Sequence, residues 1–368
     1  MEKVRAFLTR KNITFSAKRY FIDAMSAMAQ GLFCTLLVGT ILDTIGKQFG
    51  IGFLTNAFLT ITKGDVVLSY TIGGLCSLMV GPAMAVAIGN ALQAPPLVLF
   101  SLITVGFATN VLGGAGGPLA VFFVAILAAE VGKAVSKETK IDILVTPVVT
   151  ILAGIGFAAL VARPIGAAAI SVGKAIMWAT ELQPFFMGIL VSVIIGVALT
   201  LPISSAAICA SLGLTGLAGG AAVAGCCAQM VGFAVISYRE NGASGLISQG
   251  LGTSMLQMPN ILRNPRIWIA PTLASAVTGP LATCLFHLEM NGPAVSSGMG
   301  TCGLVGQIGV YTGWLNDIAA GTRTAILPMD WLGLALICFV LPAILSLIFC
   351  WVLRRLGWVK PGDMKLAD

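Results

Sequence analysis

Between residues 287 and 323 a largely apolar sequence holds a run of side chains able to give and take hydrogen bonds: His287, Glu289, Asn291, Gln307, Asn316, Asp317 and Arg323. An imidazole, carboxylates and amides supply donors and acceptors together, which suits a solute bearing many hydroxyl groups. Ionisable groups at membrane depth are costly, and they line a pathway or pair with each other. His287 and Glu289 are two residues apart and would diverge on one continuous helix, so a break at Asn291-Gly292-Pro293 is what would let them converge. The competing reading is that Glu289 marks an ordinary membrane interface. Asn110, just ahead of Gly113-Gly114-Ala115-Gly116-Gly117-Pro118, is a weaker candidate, as are Ser204 and Ser205 behind Leu201-Pro202-Ile203. Each of these stands equally where a helix cap or turn would place it. Gln229, in an Ala/Gly-rich run, reads as a hydrogen bond to a neighbouring helix.

Other chemistry is poorly served. Gly298-Met299-Gly300-Thr301-Cys302-Gly303 matches G-x-G-x-x-G, but the strand and βαβ unit of a dinucleotide site are missing. Gly300, Gly303, Gly306 and Gly309 instead recur every three residues. That spacing suits either tight backbone packing or non-helical backbone lining a cavity. The nine cysteines show no C-x-x-C and no metal-ligand spacing with the single histidine, and they read as small buried hydrophobes. No nucleophile–base pair stands out. The expected solute-binding set is therefore His287, Glu289, Asn291, Gln307, Asp317 and Asn110, with no catalytic residues, metal or cofactor.

The elements that must position these residues belong in lipid. Of 368 residues 57% are hydrophobic and 10% charged, against about a quarter charged in soluble domains. Mean hydropathy is +0.98. Runs this long and without alternation predict helices rather than barrel strands. The spacing predicts spans at 20–48, 66–92, 96–112, 119–135, 143–161, 185–202, 268–288 and 331–353, an interfacial helix at 165–182, and further segments within 205–236 and 289–330. Asp23 and Asp43 fall at opposite interfaces of the first span, since twenty residues rise about 30 Å. Roughly ten spans are expected from the chain length, some of them re-entrant. The segment 237–267 is the least apolar internal stretch and reads as a cytoplasmic linker.

The net charge of +7 sits mainly at the chain ends. Residues 1–19 form a basic segment in which Val4, Phe7 and Leu8 predict a short amphipathic helix, 20–353 the membrane domain, and 354–368 a tail. The positive-inside rule places both termini and the linker 133–142 in the cytoplasm. No basic face interleaved with aromatics points to nucleic acid. An ATP-driven pump within this one chain is excluded, because no nucleotide-binding pattern lies outside the spans.

The segments Leu201-Pro202-Ile203-Ser204-Ser205-Ala206-Ala207-Ile208 and Gly298 to Gln307 resemble the enzyme IIC membrane subunits of the sugar phosphotransferase system. The similarity is to the branch that includes regulator-like proteins named after a perfringolysin regulatory protein, and it extends over residues 10–355. It implies an all-α polytopic homodimer in the inner membrane, with about ten spans, Gly-rich re-entrant hairpins and elevator-like transport. It also implies a sugar bound within the membrane and phosphorylated by a separate IIB protein, with IIA upstream. Sugar-specific members carry a G-[IV]-T-E-type motif and a nearby His. This chain has no such motif, and His287 and Glu289 are the candidates in its place. Two alternatives therefore stay open: a membrane-embedded regulator or sensor, and an ion-coupled carrier using Asp317 or Glu289.

Overall fold

The computed structural model describes residues 2–63 and 66–366. Residue 1 of the expected N-terminal segment, residues 64–65 and residues 367–368 of the expected tail lie outside them, as does the side chain of Val4 in the amphipathic pattern. The chain folds as two compact units, Met1–Ala168 and Ala169–Asp368.

The first unit begins with α1 (Glu2–Arg10), in which Phe7 is half-buried beneath the charged ends of Arg10 and Lys11, 5.4 and 5.8 Å from its ring. Then comes α2 (Lys18–Phe49). After it, β1 (Leu59–Lys63) and β2 (Val66–Tyr70) form an antiparallel hairpin with Leu59 opposite Tyr70. This corrects the expected span at 66–92. Val66-Val67-Leu68-Ser69-Tyr70 is β-branched and aromatic enough to pair as a strand. Helix starts only at α3 (Ile72–Leu78), whose cap Thr71 accepts from the Gly74 N–H and donates to Asp43 at 2.9 Å. A 50° bend leads into α4 (Val80–Ala91).

The helices α5 (Pro96–Gly113) and α6 (Gly117–Val135) each start with proline in the first turn, where its missing N–H costs nothing. Together they make one 40-residue apolar stretch, but the chain reverses at Gly114 (φ 51°), a left-handed position that glycine takes freely. A Cβ on Gly132 would lie 2.8 Å from the Val98 side chain, so the two helices are antiparallel. Four passages, α2, α3–α4, α5 and α6, thus return the chain to the end where α1 lies. The helix α7 (Asp142–Thr180) then runs 39 residues without interruption, with Pro147 and Pro164 inside it. The expected interfacial helix at 165–182 is the continuation of this helix. Its length of about 58 Å is nearly twice the hydrocarbon thickness.

In the second unit α8 (Pro184–Thr200) is followed by α9 (Ser205–Leu212) and the deeply buried α10 (Gly216–Ile236). The Ser204 side chain caps α9 by accepting from the Ala207 N–H at 3.2 Å, the capping reading of that pair. Small residues let α10 sit against α8, α13 (Pro265–Leu285) and α15 (Pro328–Arg355). A Cβ on Gly196 of α8 would meet the Gly225 carbonyl of α10 at 2.7 Å. Between α10 and α13 the chain forms α11 (Tyr238–Ile247), a short turn and α12 (Met258–Arg263). This stretch is no solvated linker, since Ser237, Gln249, Ser254, Gln257 and Asn260 are buried. The last apolar helices are α14 (Val305–Ala319) and α15.

The architecture is that of an all-α polytopic membrane protein. Among the described residues six stretches are long and apolar enough to cross a bilayer, or seven with the bent α3–α4 pair, with α5 and α6 counted as one stretch although the chain reverses between them. Of the ten spans expected from length, the remainder would have to come from short or interrupted helices such as α8, α9 and α14, each below 18 residues.

Candidate functional site

Two interrupted helical segments meet in the second unit. The first breaks between α9 and α10, where Gly213 (φ 59°) and Gly216 (φ 64°) turn the chain. The second breaks between α13 and α14, where residues 286–304 hold only short turns. The two breaks are tied by a reciprocal backbone pair: Gly216 N–H donates to Met290 O at 3.0 Å, and Met290 N–H to Gly216 O at 2.9 Å. Ser297 Oγ donates to Leu214 O at 2.6 Å and Ser205 Oγ to Gly298 O at 2.7 Å. Polar backbone freed at both breaks is thereby satisfied inside the protein, as it must be at membrane depth.

The every-third-residue glycines serve this crossing by close packing. Gly300 (φ 54°) lies against Cys226, and the Gly306 N–H donates to Gly300 O at 2.9 Å. A Cβ on Gly309 would meet Ser296 at 2.5 Å.

Asn291 stands at the centre of the polar residues. Its Nδ2 donates to Glu289 Oε2 at 3.1 Å and to Asp317 Oδ2 at 3.0 Å, so one amide bridges two carboxylates. Asn291 and Asp317 are half-buried while Glu289 is exposed. The carboxylates keep free lone pairs that can accept from hydroxyl groups. The close approach that allows this is glycine-dependent: a Cβ on Gly313 would sit 2.7 Å from the Asn291 nitrogen.

The other expected residues separate. His287 is exposed, adopts a left-handed backbone (φ 44°) and has no hydrogen bond among the described residues. Gln307 is buried and donates to Cys227 Sγ at 3.2 Å, leaving its Oε1 without a partner. It lies ten residues from Asp317 on α14, about 15 Å along the helix, so it is not part of the Asn291 cluster. Asn110 belongs to the first unit, where its side chain fills the space left by Gly117 at the α5–α6 reversal. Gln229 accepts from Trp268 Nε1 at 2.9 Å and donates to Thr272 at 3.2 Å, a helix-to-helix hydrogen bond as read.

An aromatic group beside the cluster escaped the sequence reading. Trp314 is 2% exposed and meets the Trp331 ring edge-on at 5.3 Å and the Tyr311 ring at 6.5 Å, with the Arg323 guanidinium 5.5 Å above it. Arg323 is ion-paired with Asp330, and its N–H donates to Asp317 O at 3.2 Å. Carboxylates, an amide and a half-exposed indole (Trp331) thus share one neighbourhood. Such a set can hold hydroxyl groups by hydrogen bonds and an apolar ring face by contact. The one available signal was the i, i+3 spacing of Tyr311 and Trp314 on a single helix face.

A family model described as "Phosphotransferase system, EIIC" matches residues 22–366. No match was found among curated proteins or among solved structures.

Proposed function

Because this chain belongs to the phosphotransferase system EIIC family and is thereby a membrane component of that transport system, we propose that it binds and translocates a small hydroxyl-rich solute, a sugar, at the Asn291 cluster. The observation that carries this is the amide of Asn291 bridging Glu289 and Asp317 where two interrupted helices cross. Gly-interrupted membrane segments mark transporter substrate sites. In this reading Glu289 and Asp317 accept from solute hydroxyls, Asn291 holds them in register, and His287 gates the exposed side. Gln307, with its free buried oxygen, is a second polar contact deeper in the unit.

Phosphorylation of the solute falls to separate IIB and IIA partners. The protein works as a homodimer in the inner membrane with both termini in the cytoplasm. The missing G-[IV]-T-E-type motif favours a second reading, a sensor that binds the solute without moving it.

The test is thermal unfolding of the detergent-purified protein against sugars, sugar phosphates and non-sugar metabolites. A ligand at 100 times its dissociation constant stabilises by about 2.7 kcal/mol. A saturable sugar shift that disappears in Glu289→Ala, with the fold intact, is the expected result. An undiminished shift in Glu289→Ala would remove the cluster from the site. Binding without uptake into proteoliposomes supplied with IIB would select the sensor.

A further inference from the structure

The first unit contains a pocket of about 340 Å³, within the size range of small-ligand sites. It lies where the end of α1, the α4–α5 connection and the end of α6 come together. Four cations line it, Arg10, Lys11, Lys133 and Lys137, against one carboxylate, Glu138. Lys133 is almost wholly buried; its ammonium donates to Asn12 O at 2.9 Å and Leu92 O at 3.0 Å and pairs with Glu130 at 2.8 Å. A buried charge so fully tied down holds the pocket walls together.

Glu138 is gripped by both Arg10, at 2.7 Å, and Lys11. The pocket therefore already binds one oxyanion, supplied by its own chain. Lys137 lines it too, and its ammonium has no ion pair among the described residues. Backbone geometry adds a second observation. Asn12 (φ 53°), Gln93 (φ 54°) and Lys137 (φ 61°) are three of the five non-glycine residues with left-handed backbone among those described, and all three line this pocket. Each of the three follows the end of a helix, α1, α4 or α6, where a left-handed residue closes the last turn. Three helix C-termini therefore converge on the pocket, and Lys11 and Lys133 also donate to their carbonyls.

We propose that this pocket binds a phosphoryl oxyanion, with Arg10, Lys11 and Lys137 as its ligands and Glu138 as the internal group it displaces. A dianionic phosphoryl group offers more charge and more acceptor oxygens than one carboxylate to cations already gathered around an anion. Soluble phosphomonoesters carry that dianion, while a phospholipid headgroup presents the same phosphoryl oxygens in a diester of single negative charge. Neither the pocket nor its residues overlap the Asn291 cluster, so the inference stands apart from the solute reading.

The experiment is thermal unfolding of the full chain in neutral detergent with inorganic phosphate and glycerol 3-phosphate, each against chloride at matched ionic strength. A parallel arm compares vesicles of phosphatidylglycerol with vesicles of phosphatidylcholine. We expect a saturable phosphate-specific shift that Lys137→Gln weakens about tenfold, the loss of one charge-assisted contact. Glu138→Gln, which removes the competing carboxylate, tightens it, and Glu289→Ala leaves it unchanged. A response to glycerol 3-phosphate assigns a soluble phosphomonoester. A response confined to phosphatidylglycerol and lost in Lys137→Gln assigns a lipid headgroup. A shift equal to that of chloride, or one untouched by Lys137→Gln, overturns the proposal.

Discussion

At Gly220 a Cβ would overlap the Leu288 carbonyl oxygen and lie 2.7 Å from its carbon. The close passage of residues 288–291 over α10 therefore depends on one missing methyl group. Gly220→Ala is expected to cost at the upper end of the roughly 1–3 kcal/mol typical of overpacking, because backbone cannot rotate away as a side chain can. It should lower Tm and abolish the solute response together. An unchanged Tm would mean that the two breaks are not held in contact. Asn291→Leu tests the polar side of the same crossing. It keeps the volume but removes the donor shared by Glu289 and Asp317, leaving two carboxylates facing an apolar group. With Glu289 exposed, the stability loss should be about 1 kcal/mol, while solute binding should be lost entirely. A variant that binds normally would show that the carboxylates need no bridge.

Helices and loops are where charge and amides act on the fold as a whole. The Lys11 ammonium, then the Arg10 guanidinium, hold the Glu138 carboxyl below its ordinary value of 4.5. A carboxyl with a depressed value in the folded state contributes stability above its unfolded value and loses it as pH falls through the folded one. The contact between α1 and the 136–138 turn should therefore be present at neutral pH and weaken below about pH 4.5. Protease cleavage near Asn12 should rise on acidification, and Glu138→Gln should make it pH-independent; unaltered acid sensitivity in that variant would exclude the contact. At the other end of the chain, Met364 O accepts from Asn241 and Gln257 and Lys365 O from Asn260, each at 2.9 Å. Deleting residues 363–368 leaves these amides short of partners, at about 1–3 kcal/mol for each buried group. Hydrogen exchange should then accelerate across α11 and α12 before the rest of the second unit.

That amide network also marks a boundary of sequence reading, since a segment with few apolar residues looks like a linker until its partners on the tail are known. Long apolar runs were legible because lipid demands them. The strand at 66–70 was not, because apolarity alone does not distinguish a strand from the start of a span. Glu289, Asn291 and Asp317 were legible as polar residues in apolar surroundings. Gln307 belongs with them by residue type alone, and the straight run of α14 is what separates it from Asp317. Trp314 and Trp331 offer little contrast with their apolar neighbours beyond the i, i+3 spacing of Trp314 with Tyr311.

For the whole molecule the remaining variable is orientation in the bilayer, and the folded arrangement sharpens what charge says about it. In the first unit Arg10 touches Glu138, so the basic N-terminal segment and the 133–142 turn share one end. In the second unit Arg354 pairs with Glu240, and Asn264 donates to Asp363 at 2.7 Å. The tail and the Arg-bearing stretch 237–267 likewise share an end. Most Lys and Arg of the first unit lie at the pole of Arg10 and Glu138, with Lys47 and Lys63 at the other end and Arg163 within α7. In the second unit Arg323 stands apart, just ahead of α15. Short Lys/Arg-rich connections are retained in the cytoplasm. The four passages between α1 and Lys133 make the first unit self-consistent, and they put the loop holding Asn56 at its opposite pole. In a cysteine-free background, Lys140→Cys and Lys360→Cys should react with a membrane-impermeant maleimide only in inverted vesicles. Asn56→Cys should react only in intact cells. If Lys140→Cys reacts only in inverted vesicles and Lys360→Cys only in intact cells, an odd number of crossings separates them. The basic pole of the second unit would then face outward against the charge rule, and the cytoplasmic assignment of the tail would fall while that of the first unit stood.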